Sequence, residues 1–190
     1  MSTQKKLLYT PAMYLELERK ASERSEFVGG ELFAMAGASR RHNTLTSNLV
    51  IELGVRLKNS DCQVYSSDMR VKFSEQGDFV YPDVVLACEP QQFDDKNLDN
   101  LCNPMLIIEV LSPSTESYDR GYKFSMYQHL PSVQHYILVS QDRLQIEYYQ
   151  RKTDKQWLLT VLNKADDCLL IESLNINIVL QDIYAKVDLD

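Results

Sequence analysis

Residues 81–90, YPDVVLACEP, and residues 103–115, NPMLIIEVLSPST, decide how this chain is read. Each run has the β-branched, apolar composition of a strand buried on both faces, and each carries one carboxylate, Asp83 and Glu109. Alternation along 105–111 puts Met105, Ile107, Glu109 and Leu111 on one face and Leu106, Ile108 and Val110 on the other, so Glu109 stands where a core residue belongs. Asp83 follows Pro82, whose missing N–H predicts a strand start, an edge or a distortion that turns the next side chain toward a site. An unpaired carboxylate in such surroundings costs several kcal/mol or takes up a proton, so each acid needs a compensating charge. A divalent cation could balance both; so could buried pairing with Arg70 or Lys72 on the neighbouring strand.

The residues after Glu109 favour the cation. In 118–127, YDRGYKFSMY, Asp119, Lys123 and Tyr127 recur at four-residue spacing, one face of a helix that begins just beyond the Glu109 strand. Two acids on adjacent strands and a lysine from the next helix can make a phosphodiester-hydrolysing site. The carboxylates would hold Mg²⁺ or Mn²⁺, and the lysine would orient a water or stabilise charge developing on phosphorus.

The remaining sequence supplies a scaffold. The 190 residues, 44% hydrophobic, suffice for one full-sized core, and no repeat or Pro/Gly/Ser linker divides them. A single domain is expected over 1–190. Thr10 as N-cap and Pro11 at the first helical position predict a first helix in 10–27; Gly29-Gly30 turns into a strand, ELFAMA; Leu45, Leu49, Leu53 and Leu57 mark one stripe of a second helix from about Ser39 to Asn59. Runs 62–73 and 79–88 read as strands joined near Glu75-Gln76-Gly77, 89–104 as a surface loop and 116–130 as a helix. HYILVS, LQIEYYQR, QWLLTVL and CLLIESLNINIVL read as strands. The expected fold is α/β, a mixed central sheet flanked by helices, with additional C-terminal strands.

Composition bounds the partners. A formal charge of -7 gives no general attraction to nucleic acid, so contact with DNA would rest on a local patch, for which Arg40, Arg41, Arg120 and Lys123 are the candidates. No apolar run suits a signal peptide or a membrane span, and a cytoplasmic protein with no membrane partner is expected. Cys62, Cys88, Cys102 and Cys168 lie singly, without C-x-x-C or zinc spacing, and are expected as buried reduced thiols.

The run PDVVLAC, then NP, then IEVLSPSTESYDRGYKFSMY, together with ERSEFVGGELFAMAGAS near the start, resembles the Uma-two family of the PD-(D/E)XK nuclease superfamily over nearly the whole chain. The resemblance implies a restriction-endonuclease-like core in which Pro82-Asp83 is the PD element and Glu109 the (D/E) position, with the Val110 carbonyl as a further metal ligand. The superfamily lysine should follow at 111, where this chain has Leu111; the family supplies it from the next helix, and Lys123 is the counterpart. Glu26, placed in or just after the first helix, matches an acidic position that can join the metal site. The implied activity is metal-dependent endonuclease cleavage of DNA, with homodimerisation expected; the alternative is a nuclease-fold module acting in binding or assembly. A carboxylate-pair glycosidase would leave the helix lysine without a role.

Other residues carry accessory readings. His42, near the start of the second helix, is a candidate proton shuttle or phosphate contact beside the more ordinary reading of a surface or helix-packing histidine. His129 and His135 read as structural, Asp68 and Arg70 as a cross-strand ion pair, and Tyr127 as a packing residue or an accessory acid.

Overall fold

The computed structural model describes residues 8–74 and 77–189. Glu75 and Gln76 of the expected link lie outside the described residues; Gly77 has φ +88°, a conformation that suits only glycine, and an added Cβ would meet the Pro11 ring at 2.9 Å.

Helix α1 (Pro11–Glu18) starts as its sequence dictates, with Thr10 Oγ1 accepting from the Met13 N–H at 3.2 Å. It is followed by an antiparallel hairpin of β1 (Ser25–Val28) and β2 (Glu31–Ala34). Helix α2 (Arg40–Leu57) is capped by Ser39 and buries Leu45, Leu49, Leu53 and Leu57, the predicted stripe. The run 62–73 is two strands, β3 (Cys62–Ser66) and β4 (Arg70–Lys72), and 79–88 is likewise split into β5 (Phe79–Val80) and β6 (Val84–Cys88). Strands β7 (Asn100–Leu101), β8 (Leu106–Leu111), β9 (His135–Ser140), β10 (Ile146–Thr153) and β11 (Gln156–Leu162) follow, and a hairpin of β12 (Cys168–Ile171) and β13 (Ile176–Val179) leads into the short α5 (Leu180–Ile183). Between β8 and β9 lie α3 (Glu116–Tyr118), a π-helical turn (Asp119–Lys123) and α4 (Phe124–Tyr127).

The six-stranded sheet has the order β11-β10-β9-β8-β6-β3, antiparallel except for the parallel pair β8 and β9. A second sheet, β2-β1-β5-β4-β7, includes the parallel pair β4 and β7. Splitting at Pro82 follows from proline's inability to donate to a ladder: the chain leaves the second sheet after Val80 and enters the first at Val84, with Pro82-Asp83 as the joint. One face of the large sheet, Leu106, Ile108 and Val110 included, packs on α2, α5 and the β12–β13 hairpin; the other, with Ile107 and Leu111, packs on Tyr127, Phe73 and Val71.

The thiol expectation is corrected. Register places Cys62 directly opposite Cys88 across β3 and β6, and the two form a disulfide. A pairing set by strand register across 26 residues leaves no local spacing signal. Cys102 and Cys168 are free, the first half-buried and the second exposed. The Asp68–Arg70 pair is also corrected: Asp68 pairs with Arg24, while Arg70 donates to Asn100, Tyr81 and Asp99. No described helix is long and apolar enough to cross a membrane.

His135 is structural, as read. Its ring bridges Tyr148 Oη at 2.8 Å and Ser173 Oγ at 2.9 Å, tying β9 to the C-terminal hairpin. Burial, with a smaller effect from the Lys152 charge, pushes it down to about 4. The unfolded imidazole, at about 6.5, therefore binds the proton first, so this contribution is complete above about pH 6.5 and is lost as pH falls toward 4. Urea denaturation should show wild type losing about 3 kcal/mol more than His135→Asn between pH 7 and pH 4; parallel pH profiles would show that the ring is not held neutral.

Candidate active site

Register brings the two sequence-predicted acids together. Strand β6 pairs antiparallel with β8, Val84 opposite Ile108, so Asp83, one residue before β6, falls opposite Glu109. Asp83 Oδ2 accepts the Val110 N–H at 2.7 Å. His42 on the first turn of α2 lies with its Nε2 3.2 Å from the same oxygen, and also bonds to the Val110 backbone. The histidine is therefore not a free surface residue. Burial works against its protonation, but the hydrogen bond and charge of Asp83, then Asp119, outweigh burial and raise its pKa.

Glu109 is 3% exposed and Lys123 is 5% exposed, so their charges meet with almost no water. Lys123 Nζ stands 3.1 Å from Glu109 Oε1, 3.1 Å from Glu26 Oε1 and 3.4 Å from Asp119 Oδ1. The Tyr127 hydroxyl reaches Glu109 Oε1 at a long 3.4 Å, and its ring is fully buried, so it is chiefly a packing residue. Glu26 is corrected in position: α1 ends at Glu18, and Glu26 lies in β1, where Oε1 also accepts the Tyr81 N–H at 3.3 Å. That bond ties the first hairpin to the Pro82-Asp83 joint.

Lys123 and Asp119, four residues apart, both point inward from the π turn. Widening the helix at 119–123 leaves both buried, a local geometry that recurs at functional sites. Leu111, the last residue of β8, is 4% exposed and packs in the core beneath.

Burial is the main force raising Glu109 well above the ordinary carboxylate range; Lys123 opposes it, and Asp119, Asp83 and Glu26 add to it. Asp119 is raised for the same first reason, against Lys123 and a hydrogen bond from Thr115. Burial would lower Lys123, but Glu109, Glu26 and Asp119 more than offset it and hold the ammonium charged.

Neither Arg70 nor Lys72 balances the acids: Lys72 pairs with Asp94, and Lys123 takes the compensating role. Arg120 is paired with Glu116 and Glu147, and Lys123 is buried, so neither forms the basic patch expected. Arg40 and Arg41 line a cleft of about 420 Å³ that they share with Asp142, Lys186 and Asp188, and Arg41 lies 3.8 Å from the Asp142 carboxylate. Tyr118 went unnoticed in the sequence, where it reads as one more helix aromatic. Its ring lies 5.5 Å from Lys123 Nζ, and its buried hydroxyl has no hydrogen-bond partner among the described residues.

These mixed sheets and flanking helices have the architecture of a nuclease-class fold. A crystal structure from Anabaena variabilis, described as "a putative nuclease belonging to DUF820", superposes with a TM-score of 0.73 at 17% identity, over 93% of this chain and 97% of that one. The chain belongs to the Uma2 (Uma-two) family, described as "Putative restriction endonuclease", which matches residues 11–181. Two uncharacterized proteins of Synechocystis sp. are similar: one is 41% identical over 82% of this chain and 88% of its own length, the other 35% identical over 92% and 90%.

Removing one partner from a buried charge cluster leaves the others uncompensated. Lys123→Ala should lower unfolding free energy by about 3 to 5 kcal/mol, and adding Glu109→Gln should recover part of the loss. Denaturant titrations check both; a loss below about 1 kcal/mol would mean the acids need no ammonium.

Proposed function

We propose that the chain is a single-domain, metal-dependent endonuclease that hydrolyses phosphodiester bonds of DNA, with Asp83, Glu109 and Lys123 at its centre. The observation that supports this reading is the buried Lys123–Glu109 contact on the strand beside Asp83, whose carboxylate accepts from the Val110 N–H, in a chain of the Uma2 family.

The donor set suits a hard divalent cation. Asp83, Glu109, Glu26 and the Val110 carbonyl offer only oxygen, the ligand chemistry of Mg²⁺ and Mn²⁺. Four acidic side chains, with Asp119, stand around the Lys123 ammonium and the His42 ring. The orphaned Tyr118 hydroxyl is a further polar atom facing this cluster. As it stands, the cluster closes on the Lys123 ammonium, and among the described residues no group of three His, Cys, Asp or Glu is drawn together tightly enough to hold a metal. Loading therefore requires Lys123 to yield its place at Glu109.

When bound, the cation supplies Lewis acidity toward water and phosphate. Asp83 and Glu109 would hold it, and Val110 is fixed by its N–H bond to Asp83. The Lys123 ammonium would supply positive charge toward the oxygens on phosphorus, an effect worth about 10² to 10³ in rate in comparable sites. His42 can hold or release a proton at Nε2 beside Asp83.

One arrangement favours the alternative of a non-catalytic binding module: the closed Lys123–carboxylate cluster in a chain of formal charge -7. A plasmid assay separates the two. Wild type should nick supercoiled DNA only with Mg²⁺ or Mn²⁺, and Asp83→Asn and Glu109→Gln should each lose about 100-fold or more, together with Mn²⁺ binding by calorimetry. Folded wild type that cleaves neither DNA nor RNA with any divalent ion would select the binding module.

A further inference from the structure

We propose, resting on the nuclease reading above, that Tyr118 is a substrate-contacting residue whose hydroxyl donates to a non-bridging oxygen of the phosphodiester beside the Lys123 ammonium. Tyr118 is the last residue of α3 and directly precedes the π turn that carries Lys123. Its hydroxyl oxygen is buried without a hydrogen-bond partner among the described residues. Elsewhere the chain satisfies its buried tyrosines: Tyr14 donates to the Ser25 carbonyl at 2.7 Å, Tyr81 to Glu18 at 2.9 Å, Tyr136 to the Asp119 carbonyl at 2.9 Å and Tyr184 to the Ser140 carbonyl at 2.8 Å. An orphaned buried hydroxyl costs free energy that a phenylalanine ring would not. Two other described side chains share that condition, Thr46 on α2 and Asn100 on β7, and neither belongs to the segment that bears Lys123.

The Tyr118 ring is held in place from two directions. It stacks on Tyr122 with 5.6 Å between centroids and 12° between planes, Tyr122 is braced edge-on by Phe73 at 6.3 Å, and Lys123 Nζ lies 5.5 Å from the Tyr118 ring centroid. Turning the hydroxyl out to water would break the stack and the cation–π contact together. The nearby carboxylates are engaged by other donors: Glu26 by Lys123 and the Tyr81 N–H, Glu109 by Lys123 and Tyr127. Burial first, then the Glu26 charge, raise the Tyr118 pKa against the pull of Lys123, so the group stays a neutral donor. Asp83 and Glu109 offer the oxygens that a cation needs, whereas Tyr118 and Lys123 offer the protons that phosphate oxygens need. Tyr122 is 41% exposed, so the same stack runs from the cluster to solvent, from which a polyanion can approach.

Tyr118→Phe keeps the ring and removes the hydroxyl. Without metal it should melt at or above the wild-type temperature, whereas Tyr184→Phe, which removes a satisfied hydroxyl, should melt about 2 to 4 °C lower. Calorimetry should give Tyr118→Phe the wild-type affinity for Mn²⁺. Fluorescence anisotropy with a labelled DNA duplex in Ca²⁺, a cation of the same oxygen chemistry, should show its affinity for DNA reduced about 5-fold, the size of one neutral hydrogen bond. A Tyr118→Phe melt that falls like that of Tyr184→Phe means the hydroxyl is already bonded and overturns the proposal; so does a loss of Mn²⁺ affinity, which assigns the hydroxyl to the cation. Wild type that binds neither Mn²⁺ nor the duplex overturns this role and the nuclease reading together, while wild type that binds both, with Tyr118→Phe indistinguishable from it, overturns the role of Tyr118 alone.

Discussion

A lysine ammonium held in a nearly dry interior among three carboxylates is the constraint around which this structure is organised. Lys123 draws Glu109 from the central sheet, Glu26 from the N-terminal hairpin and Asp119 from its own π turn to within 3.4 Å. Each of these charges, buried alone, would cost several kcal/mol, and each is tolerable only because the others are there. The cluster thus fixes how the second sheet and the helical segment sit against the first.

The Pro82-Asp83 joint turns that packing into a site. Because the chain changes sheets there, Asp83 is released from ladder pairing and can accept from the Val110 N–H while facing His42 on α2. Glu26, through its contact with the Tyr81 N–H, holds the other side of the same joint. Elements distant in sequence therefore meet at one point, where Glu26, Glu109 and Asp119 surround a single ammonium.

The sequence disclosed the parts whose signals are local. The leucine stripe of α2, the Thr10 and Ser39 caps and the carboxylates stranded in apolar runs each follow from residue spacing and are found where expected. Lys123 was legible because its helix spacing put it on the face of Asp119 and because Leu111 left the usual lysine position vacant. What escaped depends on contacts between distant segments: the division of 62–73 and 79–88 between two sheets, β1 as the strand that carries Glu26, the Cys62–Cys88 pairing and His42 against Asp83. Tyr118 escaped because a helix aromatic gives no sequence sign that its hydroxyl will be buried without a partner.

The central claim is that the Lys123-centred cluster is a cation site held closed by an ammonium. Anomalous diffraction from crystals soaked in Mn²⁺ tests it directly. The expected result is a manganese peak touching Asp83 and Glu109, with the Lys123 ammonium displaced from its 3.1 Å contact with Glu109. Saturating Mn²⁺ that leaves that contact intact and gives no peak between the two carboxylates would contradict it.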